Sequence, residues 1–226
     1  MRHIEAILFD CDGVLLDSEP MGCGALAQAL TAAGYPMTID EARAVFSGNA
    51  AHDSRDWMAA RGLLADEIVR ESDRLLFEQF DQHVPLIPGI ERIMSGFSVP
   101  MAICSNASIE RLKRSVHRTS LAPRFGPNIY SAEHVARPKP AADLALYACA
   151  RLGVPPSRAL FIDDNIHGIH CARAAGCLAV GFIAPSENRT GHAATLRAAG
   201  ANHVVHGMEQ FHALLKFLTI ETLEDA

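Results

Sequence analysis

Six short apolar runs recur along this sequence, at residues 4–9, 101–104, 128–130, 159–162, 179–183 and 203–205. They do not alternate between apolar and polar residues, so they fit strands buried on both faces, as in a parallel sheet. Parallel neighbours need long crossovers, and helical patterns at 108–119, 141–152, 166–175 and 192–199 lie where crossovers must run. Gly176 and Gly200 follow two of these and can stop them. The expected fold class is α/β: a Rossmann-like parallel sheet with right-handed crossovers.

Residues 18–85 break the rhythm. They hold little strand character and four helical stretches, at 25–33, 39–46, 55–60 and 66–80. Trp57 and Met58 read as core of this insert. The following stretch HVPLIPGIERI, with two prolines and Gly89, reads as a hinge back to the sheet. The expected organisation is therefore an α/β core of residues 1–17 and 86–226, with a helical domain of residues 18–85 inserted.

Composition narrows the function classes. With 49% hydrophobic and 20% charged residues, the chain can bury a core. A net charge of -6 argues against a nucleic-acid binder, which needs a basic footprint. No apolar run approaches the roughly 20 residues of a membrane-spanning helix, and the N-terminus lacks a secretory pattern. The six cysteines form no CxxC pair and read as reduced thiols of a cytoplasmic protein. The sequons at Asn106 and Asn188 are then chance matches.

In an open parallel sheet, ligands bind beyond the carboxyl ends of the strands. Asp10 and Asp12 follow the first run, Ser105 and Asn106 end the second, and Asp163 and Asp164 end the fourth. Lys139 lies in the turn ARPKPAAD before the helix leading to the fourth run. Clustered carboxylates raise one another's pKa unless positive charge sits among them. Such a pocket suits a hard divalent cation, and Mg²⁺ takes one or two carboxylates with phosphate and water. Lys139, the Ser105 hydroxyl and nearby backbone N–H groups are donors a phosphoryl group needs. A carboxylate can also attack phosphorus and carry it as an aspartyl phosphate.

Each piece alone has a plainer explanation. Asp10 to Gly13 could be a polar turn, Asp163-Asp164 a helix N-cap, Ser105-Asn106 another cap, and Lys139 a solvated surface lysine. The grouping outweighs those readings. His167 and His170 share one predicted helix, but no further His or Cys joins them at zinc-ligand spacing. His52 is a candidate substrate contact in the insert, and Cys11 reads as packing.

Four stretches in order, FDCDGVLLDSE (9–19), ICSNAS (103–108), RPKPAAD (137–143) and FIDDNIHGIHCARAAG (161–176), resemble the haloacid dehalogenase (HAD) superfamily. The branch resembled is that of the β-phosphoglucomutase-like and sugar-phosphate phosphatases with a helical cap, and the likeness runs from about residue 4 to 205. It implies that Asp10 is the nucleophile and binds Mg²⁺ through one oxygen. Asp12 would protonate the leaving oxygen and then activate water, with its backbone carbonyl on the metal. Ser105 and the Asn106 backbone would hold phosphoryl oxygens, and Lys139 would pair with phosphate and with Asp10. Asp164 would ligate Mg²⁺, and Asp163 would act through a water or by orienting its neighbours. The family often has Glu-Asp-Ser where this chain has Asp163-Asp164-Asn165.

The resemblance further implies Mg²⁺-dependent hydrolysis of a small phosphorylated metabolite. Dehalogenases and phosphonatases of the superfamily lack the aspartate found here at Asp12. A phosphosugar mutase is the alternative, although Gly22 stands where mutases carry a histidine, and Ser47 and Ala51 where they carry basic residues. A phosphoryl-receiver module would share the acidic cluster, but it is one compact domain with its acceptor on a later strand. A non-catalytic binding protein on this fold would not need the full set.

Overall fold

The computed structural model describes residues 3–46, 51–187 and 189–220. One sheet holds six parallel strands in the order β3-β2-β1-β4-β5-β6. They are β1 Ala6–Phe9, β2 Met101–Ser105, β3 Ile129–Ser131, β4 Ala159–Asp163, β5 Leu178–Ile183 and β6 His203–His206. Every apolar run singled out in the sequence is a strand. Among the described residues the helices are α1 Glu19–Ala32, α2 Ile39–Phe46, α3 Ala51–Ala59, α4 Ala65–Gln82, α5 Ile90–Gly96, α6 Ile109–Arg114, α7 Ala122–Phe125, α8 Asp143–Leu152, α9 Ile166–Ala175, α10 His192–Ala198 and α11 Gly207–Ile220. None of them is long and apolar enough to cross a membrane.

The central strands are non-alternating because helices cover both faces of the sheet. Ala6 and Leu8 of β1 pack into a cluster with Leu144 and Ala148 of α8 and Ile169 and Ala172 of α9. The next residue, Phe9, meets Phe125 of α7 and Phe211 of α11 edge to face, at 5.9 and 6.1 Å between ring centroids. Successive strand residues thus serve opposite cores, and each large side chain buried there contributes about 1.5–3 kcal/mol.

The strand order reverses direction at β1: the chain runs outward to β3, then crosses back to β4 on the other side of β1. The carboxyl ends of β1 and β4 flank this switch point, where an open α/β sheet leaves a crevice. β1 carries the register that matters, with Phe9 beside Ile103 of β2 and Ile162 of β4.

The chain divides into two compact units, residues 1–17 with 86–226, and residues 18–85. The second unit has its own core, in which Leu30, Ala42, Met58 and Ile68 are buried. Trp57 lies edge to face with Phe46 and Tyr35 there, so it and Met58 are packing residues as expected.

Several helices depart from their sequence-based bounds, for identifiable reasons. α1 begins at Glu19 rather than at residue 25, because Pro20 fits a first helical turn and Gly22 and Gly24 weaken the helical pattern without breaking it. The helix expected over 108–119 stops at Arg114. There the Ser115 hydroxyl donates to the Arg111 carbonyl at 2.7 Å and a 3-10 turn takes over. The supposed hinge at 83–93 contains the start of α5, beginning just after Gly89. α11 lies outside the helices expected from the sequence, although Met208, Phe211 and Leu215 form its buried stripe.

Candidate active site

Asp10 leaves the end of β1 with its backbone N–H bonded to Ile162 O at 2.9 Å, a last rung of the β1–β4 ladder. The chain then turns tightly: the Leu15 and Leu16 amides both donate to Cys11 O, and Gly13 N donates to Leu16 O. Gly13 has φ +79°, and a Cβ there would lie 2.5 Å from Asp164 Oδ2. Glycine is therefore required by both conformation and space. Cys11 is fully buried, and burial pushes its thiol well above the ordinary range, so it is an inert packing residue.

Lys139 is buried rather than solvated, with 6% of its surface exposed. Its Nζ donates to Asp10 Oδ1 at 2.7 Å and to Asp163 Oδ2 at 2.8 Å. The Asn106 side chain clamps the Lys139 peptide from both sides: Nδ2 donates to Lys139 O, and Lys139 N donates to Asn106 Oδ1, each at 3.0 Å. That clamp joins the end of β2 to the turn before α8 and leaves no mark in the local pattern of residues. Ser105 is buried, and its Oγ accepts from Ala107 N at 3.1 Å. The Ser131 hydroxyl, at the end of β3, donates to Ala107 O at 2.6 Å and fixes the same turn.

Asp163 and Asp164 do not cap α9. Asn165 does, its Oδ1 accepting from His167 N at 3.0 Å. This leaves Asp163 to accept from Asn165 N through Oδ1 and from Lys139 through Oδ2. A Cβ on Gly168, one turn into α9, would overlap the Asp163 carboxylate, so the helix can approach this closely only with glycine. Gly168→Ala is expected to cost about 1–3 kcal/mol by overpacking. It should also displace Asp163 and lower activity on the order of 10²-fold. Urea denaturation and initial-rate assays would register both effects; wild-type values for the two would refute this account of Gly168.

Asp10, Asp163 and Asp164 can each present an oxygen so that all three atoms lie within 4.8 Å of one another. Among the described residues no histidine or cysteine belongs to such a group, and His167 and His170 take no part. Burial pushes the Asp10 carboxyl up to about 7; Lys139 opposes this, while the charges of Asp163 and Asp12 add to it. Burial alone would lower Lys139, but Asp10 and Asp163 outweigh it and hold the ammonium above the usual lysine range. Asp10 and Asp163 thus share the Lys139 ammonium, and Asp164 brings a third acidic group to within reach of the same point. A hard divalent ion bound by oxygens relieves such crowding of acidic groups, so these residues fit Mg²⁺.

The sequence reading missed three further residues around this centre. Arg111 Nε and Nη2 each donate to an Asp12 carboxylate oxygen at 3.2 Å. Arg189 Nη2 lies 3.7 Å from Asp164 Oδ2 and also pairs with Glu187. His192 Nε2 is bonded to the Asp164 carbonyl at 2.6 Å, and burial lowers its pKa. All three lie outside the four motif stretches, so position in the motifs could not reveal them. Ser47 and Asn188 fall outside the described residues, as do the side chains of Ala51 and His52.

A family model for haloacid dehalogenase-like hydrolases matches residues 4–176. The chain is 32% identical over 201 residues to the N-acetylmuramic acid 6-phosphate phosphatase of Pseudomonas aeruginosa, covering 82% of this chain and 86% of that protein. It is 25% identical over 195 residues to the 6-phosphogluconate phosphatase of Escherichia coli, covering 84% and 87%. Among solved structures, a conserved haloacid dehalogenase-like protein of unknown function from Agrobacterium tumefaciens superposes with a TM-score of 0.84 at 35% identity, covering 95% of this chain and 99% of that one.

Proposed function

Because the chain belongs to the haloacid dehalogenase-like hydrolases, we propose that it is a Mg²⁺-dependent phosphatase of small phosphomonoesters, sugar phosphates or related metabolites, working through an aspartyl phosphate on Asp10. The observation that carries this reading is the convergence of Asp10, Asp163 and Asp164 on one point, with Lys139 bonded to the first two. The names of the two phosphatases above, both acting on sugar-derived phosphate esters, support the substrate class. All six cysteines are free thiols, which suits a cytoplasmic setting.

In this reading an Asp10 oxygen attacks phosphorus, the ester P–O bond breaks, and the departing oxygen takes a proton from Asp12. Water then attacks the aspartyl phosphate, Asp12 takes the water's proton, and Asp10 leaves as carboxylate. Ser105, the Asn106 backbone and Lys139 hold the phosphoryl oxygens. Asp10, Asp164 and the Asp12 carbonyl would hold Mg²⁺, with Asp163 acting through a water or through Lys139. When bound, the ion would supply positive charge that offsets the developing charge of the transferring phosphoryl group. Residues 18–85 are assigned the part of a substrate-selecting cap.

A screen of phosphorylated metabolites with inorganic phosphate release as readout tests the reading. Turnover of sugar phosphates that stops on chelation and returns with Mg²⁺ is the expected result. Undiminished turnover in chelator would overturn the metal requirement. Isomerisation of a hexose 1-phosphate without phosphate release would point to a mutase instead.

A further inference from the structure

Asp12 is assigned two opposite proton transfers, yet a single aspartate side chain can rotate about two bonds. Its carboxylate is met by Arg111, 99 positions away, through two parallel bonds: Nε to Oδ2 and Nη2 to Oδ1, each 3.2 Å. This fork arrangement fixes the plane of a carboxylate as well as its place, which a lysine ammonium cannot do. A carboxylate oxygen carries two lone pairs, so accepting a bond from the fork does not by itself bar it from taking a proton.

The pair is poorly placed to serve the fold. The Arg111 and Asp12 side chains are 26% and 31% exposed, and ion pairs open to water contribute about 0–1 kcal/mol. The backbone beneath Arg111 is nonetheless well anchored. Its N–H donates to Ser108 Oγ at 3.1 Å, and its carbonyl accepts from Ser115 Oγ. Just upstream, Ala107 is tied to Ser105 and Ser131. Arg111 is therefore held by the same turn that presents Ser105 and Asn106.

We propose that Arg111 is a positioning residue that aims the Asp12 carboxylate at the ester oxygen and then at the attacking water. The inference rests on the function proposed above and deepens it.

Arg111→Gln removes the charge and the fork from a partly exposed site, and Arg111→Lys keeps only the charge; matching thermal midpoints would establish that both fold. The probe is p-nitrophenyl phosphate, whose nitrophenolate departs without needing a proton. The first step is then spared and the water step is slowed. Arg111→Gln should show a burst approaching one nitrophenolate per protein, followed by a steady rate about 10- to 100-fold below wild type with no rise in KM. Arg111→Lys should fall between the two. Three results would overturn the proposal: a steady rate within about twofold of wild type, a raised KM with kcat unchanged, or a lowered kcat with no burst. A raised KM with kcat unchanged would make Arg111 a substrate contact. If the wild-type protein hydrolysed no phosphate ester at all, the proposed function would fail rather than the placement of Arg111.

Discussion

Asp10→Asn should abolish turnover, by roughly four orders of magnitude or more, in a protein that is folded and more stable than wild type at pH 8. Loss of activity follows from the proposed role of Asp10 as nucleophile, because an amide cannot attack phosphorus. The gain in stability follows from the environment of the group. Burial, with added repulsion from Asp163 and Asp12, raises the Asp10 pKa from 3.8 to about 7 against the pull of Lys139. The folded chain therefore keeps a proton between about pH 4 and 7 that the unfolded chain has released. Wild-type stability should fall as pH rises through that window and level off above it, a total on the order of 4 kcal/mol. Asparagine never ionises, so the variant lacks this decline and can still accept a bond from Lys139. Chemical denaturation in chelator at pH 5 and pH 8 would measure the difference, which should widen with pH. Parallel pH profiles for the two proteins would contradict the assigned cause.

Lys139→Met should have the largest effect on stability. The buried ammonium lies 2.7 Å from Asp10 and 2.8 Å from Asp163, and its loss leaves two buried carboxylates without their cation. Breaking such a pair costs about 3–5 kcal/mol. Activity should fall on the order of 10²- to 10³-fold, since in the proposed reaction the same ammonium is a donor for developing phosphoryl charge. The stability deficit should shrink toward pH 5, where a proton on Asp10 removes one of the uncompensated charges. A shift in the urea midpoint at pH 7, measured beside phosphate release, tests both parts. A near-wild-type midpoint would mean that the acidic residues do not depend on Lys139.

What the sequence reveals about this protein follows the range of the interactions involved. The strands are legible because burial on both faces leaves a local mark, as in AILF of β1 and ALFI of β4. The acidic positions at strand ends are legible for the same reason: once strands and their parallel order are inferred, their carboxyl ends must share an edge. Lys139 shows the limit of this logic, since the sequence places it near that edge but says nothing of its burial. Burial depends on the Asn106 clamp, which acts across 33 positions and carries no periodic signal. The Arg111–Asp12 pair spans 99 positions and is more hidden still. α11 is a different kind of miss: Met208, Phe211 and Leu215 stand at helical spacing, and Phe211 completes the core over Phe9. The break in α6 turned on one hydroxyl, Ser115, choosing a backbone carbonyl over continuation of the helix.

In the proposed reaction, phosphate passes through a covalent bond to Asp10. Mapping the protein after acid quench during turnover of p-nitrophenyl phosphate tests it most directly, because the product of the first step should accumulate wherever water attack is slowed, as is expected in Arg111→Gln. A phosphoryl adduct is expected on the peptide containing Asp10, more abundant in Arg111→Gln and absent from Asp10→Asn. An adduct on any other residue, or a nitrophenolate burst in Arg111→Gln with Asp10 unmodified, would contradict it.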